Sequence, residues 1–192
     1  LIAFISFCIC VYLTRNHYSL VYGMSEGKSL CNISSYLNCD AVDASPYSRI
    51  FGVPIALLGA LTHIVLILSV LAGWSDNAAK ASLWRKASLA LAIFVAAMSV
   101  IMGAITIAKI AALCIFCLTL YVLSFLQLFF IWKTTEPKER QFGMDFFQRI
   151  FRGGPEGLSW LAIFLVAIPA LGFLVHDMAK TNMAKSMGGF NA

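Results

Sequence analysis

The chain has 192 residues, of which 60% are hydrophobic and 12% charged, and its mean hydropathy is +0.85. Soluble domains have about 45–50% apolar and about 25% charged residues, so this composition excludes an ordinary soluble domain. The net charge of +5 does not indicate a nucleic-acid partner, because the basic residues lie scattered near the ends of apolar runs. The composition therefore predicts an all-α polytopic membrane protein in contact with membrane lipid.

Apolar runs of about 20 residues, enough for a helix to cross about 30 Å of hydrocarbon, recur along the chain. The first run ends at about residue 18, and the second covers residues 51–73. Pro54 falls in the first turn of the second span, where a missing N–H is tolerated, and Gly59 permits close helix packing. His63 is the only ionisable residue of this span, and we expect it to bond a neighbouring backbone carbonyl.

Residues 87–132 contain a single charged residue, Lys109. As one helix they would be about 69 Å long, twice the thickness of a bilayer, so the chain must fold back at Lys109. This gives a third span over residues 87–107, after a polar loop at 74–86, and a fourth span over residues 110–132. Cys114 then lies in about the first turn of the fourth span, close to one membrane surface.

The remainder of the chain is a mixed-charge loop over 133–157 with an amphipathic segment, a fifth span over 158–175 and a linker-like tail over 176–192. The predicted fold is thus a four-helix transmembrane bundle in residues 1–132 with a fifth transmembrane helix. The loops 74–86 and 133–157 share one side and carry eight of the 14 Lys and Arg residues, which favours a cytoplasmic location for that side.

Two pairs of cysteines fall on the opposite side of the membrane by the parity of the spans. Cys31 and Cys39 lie in the long polar segment 23–50, and Cys114 and Cys117 form a CxxC in the run AALCIFCLTLY. Residues three apart on a helix share a face, and a thiolate near a helix N-terminus is stabilised by the dipole. Cys117, one turn deeper, could meet a lipid-soluble oxidant, while the loop pair could exchange with a soluble dithiol.

Three other interpretations of these four cysteines remain: purely structural disulfides, a Cys₄ zinc site, or a transporter in which they are incidental. The spans contain few ionisable groups for an ion pathway, which disfavours the transporter. Cys8 and Cys10, two apart in the first span, point about 200° away from each other and cannot form a pair. We expect them to be small buried hydrophobic residues.

Three segments of the chain together resemble the vitamin K epoxide reductase family in its bacterial branch. They are YLTRNHY, CNISSYLNCDAVDASPYSRIFGVPIALLG and CIFCLTLY, over residues 12–18, 31–59 and 114–121. Their order and spacing are specific. The disulfide bond formation protein B family does similar chemistry, but there the CxxC near the quinone precedes the loop pair.

This resemblance implies a bundle around a quinone (ubiquinone or menaquinone) that opens toward the periplasm of the bacterial inner membrane, with no metal. Cys31 and Cys39 would be the shuttle pair and Cys114 and Cys117 the active-site pair, with Cys117 against the quinone ring. Ser45 and Tyr121 would also lie near the quinone. Ordinary roles, a turn residue for Ser45 and a packed aromatic for Tyr121, are the alternatives.

The implied activity is oxidation of periplasmic thioredoxin-like or DsbA-like proteins, with electrons passed to the quinone and disulfide bonds formed as the outcome. Reduction of vitamin K epoxide or quinone for its own sake is the alternative enzyme function, and a membrane transporter or scaffold is the non-enzymatic one. Bacterial members often carry a thioredoxin-like domain after the fifth span. We therefore expect either a separate partner or such a domain beyond the tail.

Overall fold

The computed structural model describes residues 1–21, 32–33, 36–110, 112–137 and 166–188. Its elements in chain order are α1 (Ile2–Val21), α2 (Cys39–Asp43), a 3₁₀ turn (Pro46–Ser48), β1 (Arg49–Ile50), β2 (Val53–Pro54), α3 (Ile55–Ala72), α4 (Ala78–Ile105), a π-helical turn (Thr106–Ile110), α5 (Ile115–Thr134) and α6 (Ile168–Gly188). Apart from the short strands β1 and β2, the regular structure of these residues is helical, which confirms the predicted all-α fold.

Helices α1, α3, α4 and α5 pack into one bundle, because α1 and α4 each contact both α3 and α5. Three stretches of the described residues, Ile55–Ala72, Ala81–Ile110 and Ile115–Thr134, are long and apolar enough to cross a membrane. The protein is therefore a multi-pass membrane protein. The count of four spans plus a fifth stays a prediction.

Helices α1 and α3 run antiparallel and approach closely. Leu13, near the end of α1, belongs to a core cluster that includes Ala56, whereas Ala3 packs in the cluster of Leu66. Between these two levels a Cβ on Gly59 would lie 3.1 Å from the Sγ of Cys10. The expectation that Gly59 permits close packing is thus confirmed.

The second span begins later than residue 51. Residues 49–54 form a hairpin in which Arg49 pairs with Pro54 and Ile50 with Val53. Its two-residue turn has positive φ angles at Phe51 (51°) and Gly52 (85°), the geometry that suits the twist of hairpin strands. The placement of Pro54 in the first helical turn is therefore wrong, because Pro54 ends β2 and is the N-cap of α3.

The third and fourth spans also have shifted bounds. Helix α4 begins at Ala78, so most of the predicted loop 74–86 is helical, consistent with its Ala, Lys and Arg content. At the other end, Lys109 lies in the π-helical turn before the reversal, as predicted. Helix α5 begins only at Ile115, so Cys114 is its N-cap with an extended backbone and does not lie within the first turn.

Helix α6 packs against α3 and β2 and continues to Gly188. The tail at 176–192, expected to be a linker, is therefore helical over most of its length. At the contact a Cβ on Gly172 would lie 2.5 Å from a terminal methyl of Leu58, so glycine permits the close approach. The first part of the predicted fifth span, the amphipathic segment of the 133–157 loop and residues 23–31 and 34–35 of the predicted loop 23–50 lie outside the described residues.

Candidate active site

The loop cysteine Cys39 begins helix α2 and is almost fully buried, with 1% of its surface exposed. Helix α2 forms here because Asn38 is its N-cap, and the Asn38 side chain accepts a hydrogen bond from the Ala41 N–H at 2.9 Å. Asp40 in the first turn adds a favourable charge at the helix N-terminus. Cys39 is in a disulfide. Cys31 lies outside the described residues.

The loop that carries Cys39 is hydrogen-bonded directly to the segment that leads into the CxxC. Leu37 and Leu113 form a parallel β-bridge. The Asn38 N–H donates to the Leu113 carbonyl at 3.0 Å, and the Leu113 N–H donates to the Tyr36 carbonyl at 2.8 Å. Because Cys39 follows Asn38 and Cys114 follows Leu113, the bridge holds the two cysteine-bearing segments side by side.

Cys39 and Cys114 belong to one buried cluster with Leu13 of α1. Each of the two cysteines is 1% exposed, and Cys117 packs against the cluster and is partly buried. Cys114 and Cys117 are both free thiols. The structure thus brings together three of the four predicted active cysteines.

The position of Cys114 just before α5 favours its thiolate. The Cys117 N–H donates to the Cys114 Sγ at 3.2 Å, so the sulfur occupies the place that a capping oxygen fills at other helices. A hydrogen bond from the Cys117 side chain lowers the pKa of Cys114, and backbone hydrogen bonds from Cys117 and Phe116 act in the same direction. Burial and the charge of Asp43 oppose this shift.

Helix α2 is fastened to α1 by a polar clamp of Asn16, His17, Asp40 and Asp43. The Asn16 amide donates to carboxylate oxygens of Asp40 at 3.1 Å and of Asp43 at 3.0 Å. The His17 Nδ1–H donates to the Asp43 carbonyl oxygen at 2.9 Å. Asn32, from the preceding loop, also donates to Asp40. The clamp fixes α2, and with it Cys39, on the end of α1.

No role is predicted for these clamp residues from the sequence. The signal was available: two carboxylates three residues apart on a short helix, and an Asn-His pair that ends the first span. What the sequence lacked was the contact between the two elements.

The two residues expected near the quinone, Ser45 and Tyr121, have different surroundings. Ser45 precedes the 3₁₀ turn, but its hydroxyl makes no capping hydrogen bond and its Oγ is buried with no partner. Tyr121 is half-buried, with its ring near Gly103 and its hydroxyl near Thr106 of α4. A buried unpartnered hydroxyl could donate to a ligand with a carbonyl oxygen, such as a quinone.

The cysteines of the first span take no part in this site. Cys8 is exposed and Cys10 is buried, and both are free thiols, so the prediction that they do not pair is confirmed. The expectation that both side chains are buried is confirmed for Cys10 and wrong for Cys8. Its exposed side chain lies on an apolar helix, where lipid would cover it.

A family comparison agrees with this arrangement. The model of the vitamin K epoxide reductase family matches residues 1–132. The chain belongs to the vitamin K epoxide reductase family. The match covers the bundle of α1 to α5 and all six cysteines, and the resemblance of the three motifs is thereby confirmed. No curated protein matches the chain. Family membership implies a membrane oxidoreductase.

Proposed function

We propose that this protein oxidises thioredoxin-like proteins on the periplasmic side of the bacterial inner membrane and passes their electrons to a membrane quinone, so that disulfide bonds form. The observation that carries the proposal is the single buried cluster of Cys39, in a disulfide, and Cys114, a free thiol. Disulfide exchange needs an attacking sulfur close to the disulfide, and a shared cluster supplies that closeness.

The burial of Cys39 beside Cys114 supports different roles for the two loop cysteines. Cys39 is buried beside Cys114, so it is the loop sulfur suited to exchange with the CxxC. Cys31, its proposed disulfide partner, is then the sulfur that a thioredoxin-like protein attacks. This attack forms a mixed disulfide with Cys31 and releases the Cys39 thiolate. The second thiol of the partner protein then resolves the mixed disulfide and leaves oxidised.

The transfer from the loop cysteines to the CxxC uses the same closeness of Cys39 and Cys114. The Cys39 thiolate attacks Cys114 of the oxidised CxxC and displaces the Cys117 thiolate. Cys31 next attacks Cys39, which restores the loop disulfide and leaves Cys114 and Cys117 reduced. This is the redox state of the described cysteines: Cys39 in a disulfide, Cys114 and Cys117 free.

A bound quinone would supply the capacity to accept two electrons and two protons. Ser45 and Tyr121 would hold it through hydrogen bonds from their hydroxyls, and Cys117 would lie against it. The partial burial of Cys117 limits the contact of the reacting sulfur with bulk water. The Cys₄ zinc alternative is disfavoured, because the sulfur of Cys39 is in a disulfide and a zinc ligand must be a thiolate.

The proposal is tested with purified protein in lipid nanodiscs, a reduced thioredoxin-like donor and a short-chain quinone. We expect quinone reduction that stops in Cys39→Ser and Cys117→Ala and continues in the control Cys8→Ser. A charge-transfer absorbance between the Cys117 thiolate and the quinone should vanish in Cys117→Ala. Quinone reduction at the normal rate in Cys117→Ala contradicts the proposal.

The alternative functions predict different results, one in this assay and one in the cell. If vitamin K epoxide is consumed and no donor protein becomes oxidised, epoxide reduction is the activity. If deletion of the protein leaves disulfide formation in a secreted reporter unchanged, disulfide formation is not its role in the cell.

A further inference from the structure

A stripe of polar residues continues inward from the CxxC along one face of α5. Cys117, Tyr121, Ser124 and Gln127 are spaced four, three and three residues apart, the repeat of one helix face. Ser124 and Gln127 are 2% and 4% exposed, so this face points into the bundle. The Ser124 hydroxyl is satisfied, since it donates to the Tyr121 carbonyl at 2.7 Å. Gln127 is different.

The side-chain amide of Gln127 is buried with no hydrogen-bond partner on either its oxygen or its nitrogen. The hydroxyl of Ser6 on α1, a residue only 1% exposed, is also unpartnered. An amide or hydroxyl buried without a partner costs about 1–3 kcal/mol in a protein. Each of these two residues therefore requires a polar partner inside an apolar bundle.

His63 of α3 lies at the same level. It is 5% exposed and close to Gln127, although the two make no hydrogen bond of ordinary geometry. Cys10 faces Gly59 across the antiparallel pair α1 and α3, and one further turn along each helix places Ser6 opposite His63. Three helices thus contribute one polar residue each to a single level of the bundle, which we name the inner polar site: Ser6, His63 and Gln127.

The tautomer of His63 adds an acceptor to the inner polar site. Its Nδ1 lies 2.7 Å from the Gly59 carbonyl oxygen, which can only accept, so Nδ1 carries the proton. The neutral ring then presents the Nε2 lone pair. Together with both ends of the Gln127 amide and the Ser6 hydroxyl, this gives donors and acceptors enough for a water molecule, which needs two to four polar partners.

The inner polar site is too deep to hold the same ring as the thiols. Gln127 lies ten residues beyond Cys117 on α5, about 15 Å along the helix axis. That is about half the thickness of the hydrocarbon core. A quinone ring against Cys117 spans less than this distance, and its isoprenoid tail is apolar and would leave the polar groups unsatisfied. Polar neighbours that are near each other but not bonded are bridged most simply by water.

We infer that Ser6, His63 and Gln127 bind internal water in the middle of the bundle. This water satisfies the side-chain amide of Gln127 and the hydroxyl of Ser6, which are buried without a partner in the protein.

The water site is tested without any turnover. The chain has three histidines, so ¹⁵N-histidine labelling gives few signals, and loss of a signal in His63→Phe assigns it. In solid-state NMR of protein in bilayers, we expect rapid transfer of magnetisation from water to the His63 side chain. Transfer should slow in Gln127→Leu and stay fast in the control Ser99→Ala, whose hydroxyl donates to Val95 of its own helix. A His63 signal that receives nothing from water overturns the inference.

Discussion

The Asn38 N–H donates a hydrogen bond to the Leu113 carbonyl oxygen at 3.0 Å, and this contact joins the two halves of the redox site. It connects residues 75 positions apart, in a polar loop and in the turn between two apolar helices. Cys39 and Cys114, the residues that follow, are consequently buried together. The polar clamp at the end of α1 holds the same loop from the other side.

The clamp predicts that Asn16→Ala uncouples the loop from the CxxC. Both lost hydrogen bonds go to carboxylates, and one such bond contributes about 1.5–3 kcal/mol, so we expect the free energy of unfolding to fall by about 2 kcal/mol. Transfer from Cys39 to Cys114 should slow, measured by stopped-flow with a thioredoxin-like donor. A small dithiol that reaches the CxxC directly should be little affected.

The matched control is Asn182→Ala, which replaces an exposed asparagine on α6. It should leave both rates and the free energy of unfolding near their wild-type values. Equal slowing in the two variants would show that the clamp has no special role in electron transfer.

The lowered pKa of Cys114 predicts how the thiolate depends on pH. Hydrogen bonds favour the charged form of this thiol, so in the reduced protein its ionisation should have a midpoint below the usual thiol value of about 8.5. Cys117→Ala removes the largest of these contributions, and the midpoint should rise. The ultraviolet absorbance of the thiolate, measured against pH, gives both values. A midpoint that falls or stays unchanged in Cys117→Ala contradicts this account of the pKa.

The hairpin turn predicts a stabilising substitution. Phe51 has φ 51° and is 95% exposed, so its backbone is strained without any packing that depends on the side chain. Asparagine tolerates this region and Asn-Gly is a preferred pair in such turns. Phe51→Asn should raise the free energy of unfolding by about 1 kcal/mol. Chemical denaturation in detergent measures it.

Gly52→Ala is the converse test of the turn. A Cβ at Gly52 would meet nothing within 4 Å, so only the positive φ of 85° opposes the substitution. We expect a loss of about 1 kcal/mol. If Gly52→Ala is neutral, strain in this turn is not significant and Phe51→Asn should be neutral too.

The sequence predicted much of the bundle because its signals are local. The length of apolar runs, the single charge at Lys109 and the small residue Gly59 each depend only on nearby positions, as does the bond from His63 to the Gly59 carbonyl one turn away. Hydropathy alone does not predict that α4 begins at Ala78 and α5 at Ile115. A helix can extend beyond its apolar stretch, as α4 does, or begin after a cap, as α5 does.

Non-local contacts could not be predicted. The bridge between Leu37 and Leu113 and the clamp of Asn16 on α2 join segments far apart in sequence, and no periodic pattern reports them. Gln127 was overlooked for another reason. Its spacing from Cys117 can be read from the sequence. A single amide in an apolar helix indicates a polar site only when it is known to be buried and without a hydrogen-bond partner.

The central claim is that Cys39 hands electrons to Cys114. In Cys117→Ala the Cys114 thiolate can attack the loop disulfide at Cys39 and release Cys31, and alkylation of the freed Cys31 should trap the mixed disulfide between loop and CxxC. Mass spectrometry of a non-reducing digest identifies the linked peptides. The account predicts a Cys39–Cys114 link that is lost in Cys39→Ser and kept in Cys8→Ser. A Cys31–Cys114 link in its place, or no link to Cys114 at all, would contradict it.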